Sequence, residues 1–569
     1  MKKIALIFVL LTTVLFSCQD VLDKEPLDGM SDVAMWGGEA TTQAYVNSAY
    51  VAVTYFWNHP TLYRSIPWGP FYSEGCDEGF AHLGIGGGTY IATGELSPST
   101  SLDLSSWKRM YYYVQHINTF FDNDEAGRLV GDEATINRWR GDMHFIRAWI
   151  YSRLTDSYGG VVLSKTAYTA EDIEIDDVRA SYDECVDFMI EDLDQAIALL
   201  PESLSTGEIG KATKGIAMAL KARVLLHAAS ELHNPSHDNT KWQDASDAAI
   251  AVINSGYYSL YHPENYNDIF FDFQSEGNTE TILSRHVSAA DASMLFWYNF
   301  PTTMFGPVSW KGWGIGTPTQ AIVDAFEMAD GTPYDRAVHG QNPYENREPR
   351  FYANILFDGA EFSSTIPRIP SVADIGTKVQ TGRYVYTPGD TILGYDRFGG
   401  ALQEKGNATR TGYYIKKFVW EDADEIFEKD HMQVIFLRLS EMYLNYAEAQ
   451  VELGNGGEAA KFLKPLRDRV GLPTPDVVTI DDVRHERRVE LAFEGNRFFD
   501  VRRWKILDQT FVDQEKTELV IDYTGAEPVK KFSYVQLQER NYNPAYYYLP
   551  IPASEIEKNP NLEQNPGYN

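Results

Sequence analysis

The sequence predicts a mainly α-helical protein, a tetratricopeptide-like helical-repeat scaffold carrying long, irregular, aromatic-rich insertions. Three observations predict it. Between Phe436 and Trp504, the positions Leu444, Ala447, Gln450, Leu453 and Gly454, then Ala459, Ala460 and Leu463, have the spacing of a helix, a Leu-Gly stop, a tight turn and a second helix. Small residues recur where two helices must approach closely, Ala245, Ala248 and Ala249 echoing Glu458, Ala459 and Ala460. One helix pair cannot bury its own apolar faces and has to stack on others. Two further stretches, about 55–100 and 257–420, are rich in Gly, Pro and aromatic rings and have no helical period. Loops of such length inside a compact body are usually functional or disordered, and their aromatic richness argues against disorder.

Taken in order, residues 1–17 read as a signal peptide: Lys2 and Lys3, then an apolar run from Ile4 to Phe16 that is too short to span a bilayer as a permanent helix. Leu15-Phe16-Ser17-Cys18 resembles a lipobox, so lipidation of Cys18 is expected. Residues 18–40 include an acidic, Pro-interrupted segment that suits a flexible tether. Helices are expected over Gln43–Val53 and Trp107–Phe121, the second with Trp107, Met110, Tyr111, Val114 and Ile117 on one face. The segments NRWRGDMHFIRAWIYSRLTDSYGG, SYDECVDFMIEDLDQAIALLP, KATKGIAMALKARVLLHAASEL and KWQDASDAAIAVINSG continue the helical period. Ser181 and Glu184 have capping-box spacing. Scaffold helices thus fall mainly in 107–255 and 431–504, and 41–569 reads as a single domain.

Composition bounds the function. The 569 residues are 44% apolar, ample for a large core, and 13% aromatic, which is high. The formal charge is −32, a field that repels nucleic acid and anionic lipid headgroups, so both are excluded as partners. Besides Cys18, only Cys76 and Cys185 remain, with no metal or nucleophile pattern around either and no disulfide framework.

Several motifs have a plainer reading beside the functional one. Glu486, Glu490 and Glu494 stand four apart amid Arg487, Arg488, Arg497, Arg502 and Arg503; a salt-bridge lattice explains them more simply than glycosidic acid and base. Asp122 to Glu133 nearly fits a calcium loop, but Ala126 removes a ligand and an acidic interhelix loop suffices. Pro235 breaks the helix that would align His233 and His237 on zinc. Trp107, Trp139, Trp149, Trp242 and Trp504 sit at helical spacing and are expected in the core.

Together, TPTQAIVDAFEMADGTP, NREPRFYANILFDG, TGYYIKKF, LRLSEMYLNYAEAQVELG, LRDRVGLP, ERRVELAFEGNRFFDVRRW, YYLPIPASEIEKNPNLEQNPGY and FIRAWIYSRLTDSYGG resemble the SusD/RagB family of outer-membrane lipoproteins across essentially the whole chain. The resemblance implies a SusD-like fold built on four tetratricopeptide-like helix pairs, a surface-exposed, lipid-anchored location in the outer membrane, and a SusC-like TonB-dependent transporter as partner. It implies capture of oligosaccharide or polysaccharide for import and not catalysis, with ligand contacts on the insertions. No cofactor and no metal are implied. The alternatives are a peptide- or glycopeptide-binding member of the same family, or a glycoside hydrolase.

Sugars bind by flat rings laid on their C–H faces with polar groups around them. The candidates are therefore rings outside helices with polar neighbours: Trp68 and Tyr72 in the first insertion, and Trp297, Tyr298, Trp310 and Trp313 in the second. Asp77 joins them because it falls where the family often places an acidic contact. The plainer reading of each ring is that it pins a long loop to the scaffold.

Overall fold

The structure is a computed structural model that describes residues 32–58, 70–81, 88–100, 107–168, 177–204, 208, 210–272, 277–286, 301–363, 376–400, 407–421 and 433–568. The expectations placed on Cys18 and the leader lie outside the described residues. Among those residues, no helix is long and apolar enough to cross a membrane.

Among the described residues, ten helices carry the scaffold: α1 (Glu39–Ala49), α2 (Trp107–Glu125), α3 (Glu133–Tyr158), α4 (Tyr182–Leu199), α5 (Lys214–Ala229), α6 (Asn239–Ile253), α7 (Leu439–Glu452), α8 (Gly456–Asp468), α9 (Ile480–Glu490) and α10 (Asn496–Arg503). From α2 to α8 each helix packs on the next, α6 meeting α7 although the whole second insertion separates them in sequence. The repeat array is therefore continuous in space and interrupted in the chain. Its members start where side chains satisfy the orphan amides of the first turn. Asp132 caps α3, Thr213 caps α5, and Ser181 with Glu184 and Thr479 with Asp482 form capping boxes on α4 and α9. α3 is buried nearly all round, its apolar Trp139, Phe145, Ile146, Ile150, Tyr151 and Leu154 together with the polar Asp142 and Arg147, as suits the helix at the centre of the core. The expected close approaches are real: Ala245 and Ala249 of α6 and Ala459 of α8 are fully buried. All five helical tryptophans are core residues.

The helix expected over Gln43–Val53 is broken at Tyr50 into Glu39–Ala49 and Val51–Asn58. The Tyr50 hydroxyl donates to Asp142 at 2.7 Å and accepts from the Ala212 amide at 2.8 Å, tying the break to two other segments.

The insertions contain strands that no sequence expectation named. β1 (Gly79–Ala81) of the first pairs antiparallel with β3 (Gly316–Pro318) of the second, Phe80 opposite Thr317. β2 (Thr281–His286) pairs with β8 (Gln433–Arg438), the strand that leads into α7. β4 (Ile355–Leu356) pairs with β7 (Tyr414–Ile415). β5 (Arg383–Thr387) and β6 (Asp390–Leu393) join the hairpin β9 (Gln514–Asp522) and β10 (Val529–Gln538) in a sheet of order β10-β9-β5-β6. A second apolar core, with Phe326, Phe351, Tyr413, Tyr414, Phe418 and Phe493, forms around β4, β7 and β8, and Tyr384, Leu519 and Ile521 make a small separate cluster on the four-stranded sheet.

The charged run Glu486 to Glu494 does form an ion lattice, but its partners come mostly from elsewhere. Glu486 accepts from Arg350 at 2.5 Å and Arg467 at 2.8 Å. Glu490 takes Arg438 at 2.7 Å, Arg350 at 3.1 Å and also Arg469. Glu494 takes Lys417 at 2.7 Å and Arg438 at 2.8 Å. Arg350 and Lys417 belong to the second insertion, so the lattice fastens the insertion to the scaffold. Asp122 and Asp124 lie in the last turn of α2 and Glu133 begins α3, and Asp122 is engaged by the Ala167 amide at 3.0 Å rather than turned toward a shared cation. Asp124 instead holds Arg140 at 2.6 Å. Cys76 and Cys185 are both buried and free.

Candidate functional site

A cleft opens where α3, α5, β8 and the turn before α10 meet. It is lined by Tyr72, Trp149, Arg153, Asp156, Arg223, His227, Phe436, Asn496 and Phe499 among others. Past Val53, Thr54 and Phe436 it continues as a groove to Gly210, Lys211, Leu283 and Ser284, and from there to Tyr257 and Tyr258. Rigid helices hold its functional side chains. Trp149, Arg153 and Asp156 project from α3 at helical spacing, and Arg223 and His227 stand four apart on α5. Gly495, with φ 85°, sits in the left-handed region and turns the chain sharply between Glu494 and Asn496.

Most charges here are already partnered. Arg223 donates to Glu441 at 2.7 and 2.5 Å and to the Phe436 carbonyl at 2.7 Å. His227 Nδ1 lies 2.7 Å from Asp156. Burial works to raise the Asp156 carboxyl, yet the charge and hydrogen bond of His227, with the charges of Arg153 and Arg223 behind them, outweigh it and hold the group below its ordinary value. Arg153 differs. Its guanidinium lies 5.9 Å from the Trp149 ring centroid and 5.4 Å from that of Phe499.

The expected site residues separate. Trp68, Trp297 and Tyr298 lie outside the described residues. Tyr72 lines the cleft but is 4% exposed, its ring against Phe498 at 5.0 Å and Phe499 at 5.2 Å; it is a wall and not an open platform. Trp310 is a core ring, 1% exposed and edge-on to Phe362 at 4.7 Å, so its face is closed to a ligand. Trp313 is half-buried in the following turn, its amide donating to the Thr303 carbonyl at 2.7 Å. That turn needs glycine at 312, where a Cβ would fall 2.1 Å from the Gly306 carbonyl oxygen.

Asp77 is the clearest correction. It is buried, and its two oxygens are held by Arg497 at 2.8 Å each and by Arg488 at 2.8 Å. Burial would raise its carboxyl, but the two guanidinium charges dominate and hold it well below the usual range. Burial, with the Asp77 charge behind it, pushes the adjacent Glu78 up to about 8. Asp77 pins the first insertion to α9 and α10 rather than meeting a ligand. The residues that sequence reasoning missed are Arg153, Asn496, Phe436 and Phe499. The available signal was Arg153 four residues after Trp149 and three before Asp156, one helix face carrying a ring, a cation and an acid.

A family model described as "SusD family" matches residues 275–568, and one described as "Starch-binding associating with outer membrane" matches residues 92–226. A SusD-like protein of Formosa agariphila is 22% identical over 592 residues, spanning 100% of each chain. Among solved structures, a SusD-like protein from Bacteroides fragilis is 30% identical and superimposes with TM-score 0.75, covering 96% of this chain and 100% of its own. A SusD-like carbohydrate-binding protein from the same organism, 22% identical, has TM-score 0.72 over 93% of this chain and 100% of its own. A laminarin-binding SusD-like protein, 21% identical, has TM-score 0.63 over 93% of this chain and 99% of its own.

Proposed function

Since the chain belongs to the SusD family, we propose that it is a cell-surface lipoprotein, anchored in the outer membrane through Cys18, that captures oligosaccharide or polysaccharide and passes it to a SusC-like TonB-dependent transporter. The observation that carries the reading is the cleft and its groove, where ring walls from Tyr72, Trp149, Phe436 and Phe499 stand beside polar side chains. The carbohydrate-binding and laminarin-binding neighbours with this fold support it. We assign ring contacts to Trp68, Trp297, Tyr298 and Trp313, with Tyr72 as a wall.

Each stacked ring contributes about 0.5–1.5 kcal/mol, and each hydrogen bond about the same net. A few such terms, less the cost of association, give roughly millimolar to micromolar binding, suited to a relay that must release its cargo. The protein acts without cleaving. Glycoside hydrolysis needs an acid whose pKa is raised opposite a second free carboxylate. Asp156 is instead held below its ordinary value by His227, and Glu494 is taken by Lys417 and Arg438.

The test is native affinity electrophoresis of a soluble form beginning at Gln19, in gels containing neutral or acidic polysaccharides, with a reducing-end assay and the variants Trp68→Ala, Trp297→Ala and Trp313→Ala. Retention by a polysaccharide, lost in a folded variant and without new reducing ends, is the expected result. New reducing ends would make it an enzyme, and retention by no polysaccharide would remove the support for glycan capture.

A further inference from the structure

Building on that reading of the cleft as a glycan site, we propose that Arg153 receives an anionic substituent of the captured sugar, a uronate carboxylate or a sulfate ester. Among the described residues Arg153 has no carboxylate within 4.0 Å, its side-chain hydrogen-bond partner being Tyr72, although it lines a cleft that also holds Asp156 and Glu494. Those two acids are engaged elsewhere, Asp156 by His227 at 2.7 Å and Glu494 by Lys417 at 2.7 Å and Arg438 at 2.8 Å. The other guanidinium of the cleft, Arg223, is bound to Glu441. Among the described residues of this cleft, Arg153 is therefore the guanidinium that no carboxylate holds, and the N–H groups it does not share with Tyr72 remain available to a ligand.

Its surroundings prepare it for that task. Trp149 and Phe499 approach it at 5.9 and 5.4 Å, fixing the plane and limiting hydration without using its donors. The Tyr72 hydroxyl lies beside it. Asn496 lines the same cleft, and among the described residues its side chain has no hydrogen-bond partner. A cation held between rings is matched best by an anion, because charge-assisted bonds are about twice as strong as neutral ones and the guanidinium fork fits a carboxylate or sulfate with two parallel bonds. The net charge of −32 repels polyanions at a distance, but beyond roughly 8–10 Å salt screens it, leaving the local cation to decide the contact.

Paired polymers that differ only in the anion test this. Polygalacturonic acid is compared with its methyl-esterified form, and chondroitin sulfate with its desulfated form, with laminarin as a neutral third arm. Each is run against the wild type, Arg153→Gln and Arg153→Lys, and the melting temperature of each protein is recorded. The expected result is about tenfold or tighter retention by one polymer over the counterpart whose carboxylate is masked as an ester or whose sulfate is removed. Arg153→Gln abolishes that difference and Arg153→Lys restores part of it, at unchanged melting temperature. The pair that discriminates identifies carboxylate or sulfate. Equal retention within both pairs, or a difference that survives in Arg153→Gln, overturns the inference. Retention by laminarin alone, equal in all three proteins, overturns it while leaving glycan capture standing. Retention by none of the polymers overturns both.

Discussion

Around Glu490, the side chains of Arg350, Arg438 and Arg469 are buried and each meets more than one carboxylate, whereas in the cleft Arg153 stands half-buried between two rings and, among the described residues, meets none. Both places combine arginine with aromatic side chains, Arg469 lying 5.4 Å from the Tyr266 ring. The difference lies in what the guanidinium donors already touch. A buried guanidinium has to be satisfied from within the protein because water cannot reach it. One at a cleft wall can wait for a ligand, since water serves it meanwhile. The lattice thus holds the second insertion on the repeat array, and the cleft keeps a charge in reserve.

The sharpest way to break the comparison is Glu490→Ala. Removing one member of a buried ion network leaves three guanidinium groups short of a partner, at a cost of about 3–5 kcal/mol. Chemical denaturation should show that loss, and a change below about 0.5 kcal/mol would mean the lattice does not fasten the insertion.

Asp77 and Glu78 extend the contrast to pH. Glu78 is raised from 4.5 to about 8 by burial and by Asp77, so the folded state binds more protons than the unfolded one between those values. Its contribution to stability is fully present below about 4.5 and is lost as the pH rises through about 8. Asp77, lowered, works in the opposite sense: its contribution is present above the ordinary carboxylate range and is lost as the pH falls through its depressed value. Glu78→Gln should therefore melt higher than the wild type at pH 9 and show a flatter melting profile from pH 5 to 9. An unchanged slope would remove Glu78 from the account. Smaller again is Ser181→Ala, which opens the capping box of α4 and should cost about 1 kcal/mol by urea titration. Smallest is Arg153→Gln, expected within about 0.5 kcal/mol of wild-type stability because the side chain is half-buried, pairs with no carboxylate among the described residues, and leaves Gln an amide that can still meet the Tyr72 hydroxyl.

Much of the scaffold was legible in the sequence because local rules and tertiary packing agree there. The Leu-Gly stop at 453–454 ends α7 and begins the turn to α8, and Ser181 with Glu184 marks the start of α4. The β9–β10 hairpin was legible in principle, with Leu519 and Ile521 alternating before a Thr524-Gly525 turn, but no strand was expected there. Which cations Glu486, Glu490 and Glu494 would find was not legible, since Arg350, Lys417 and Arg438 come from distant segments. The site was legible only as an enrichment. Aromatic content pointed to the insertions, but burial is a tertiary property, and Trp310 and Asp77 turned inward while Tyr72 became a wall. Trp149 and Arg153 share a helix face, a pattern that looks the same in a core stripe as in a cleft.

The most direct measurement is calorimetric titration of a uronate or sulfated oligosaccharide, whichever polymer pair discriminates, into the wild type, Arg153→Gln and Arg438→Gln, with the melting temperature of each recorded. Arg153→Gln is expected to melt like the wild type and lose about tenfold or more in affinity, while Arg438→Gln melts markedly lower. Wild-type affinity in Arg153→Gln, or a fall in its melting temperature as large as that of Arg438→Gln, would contradict that expectation.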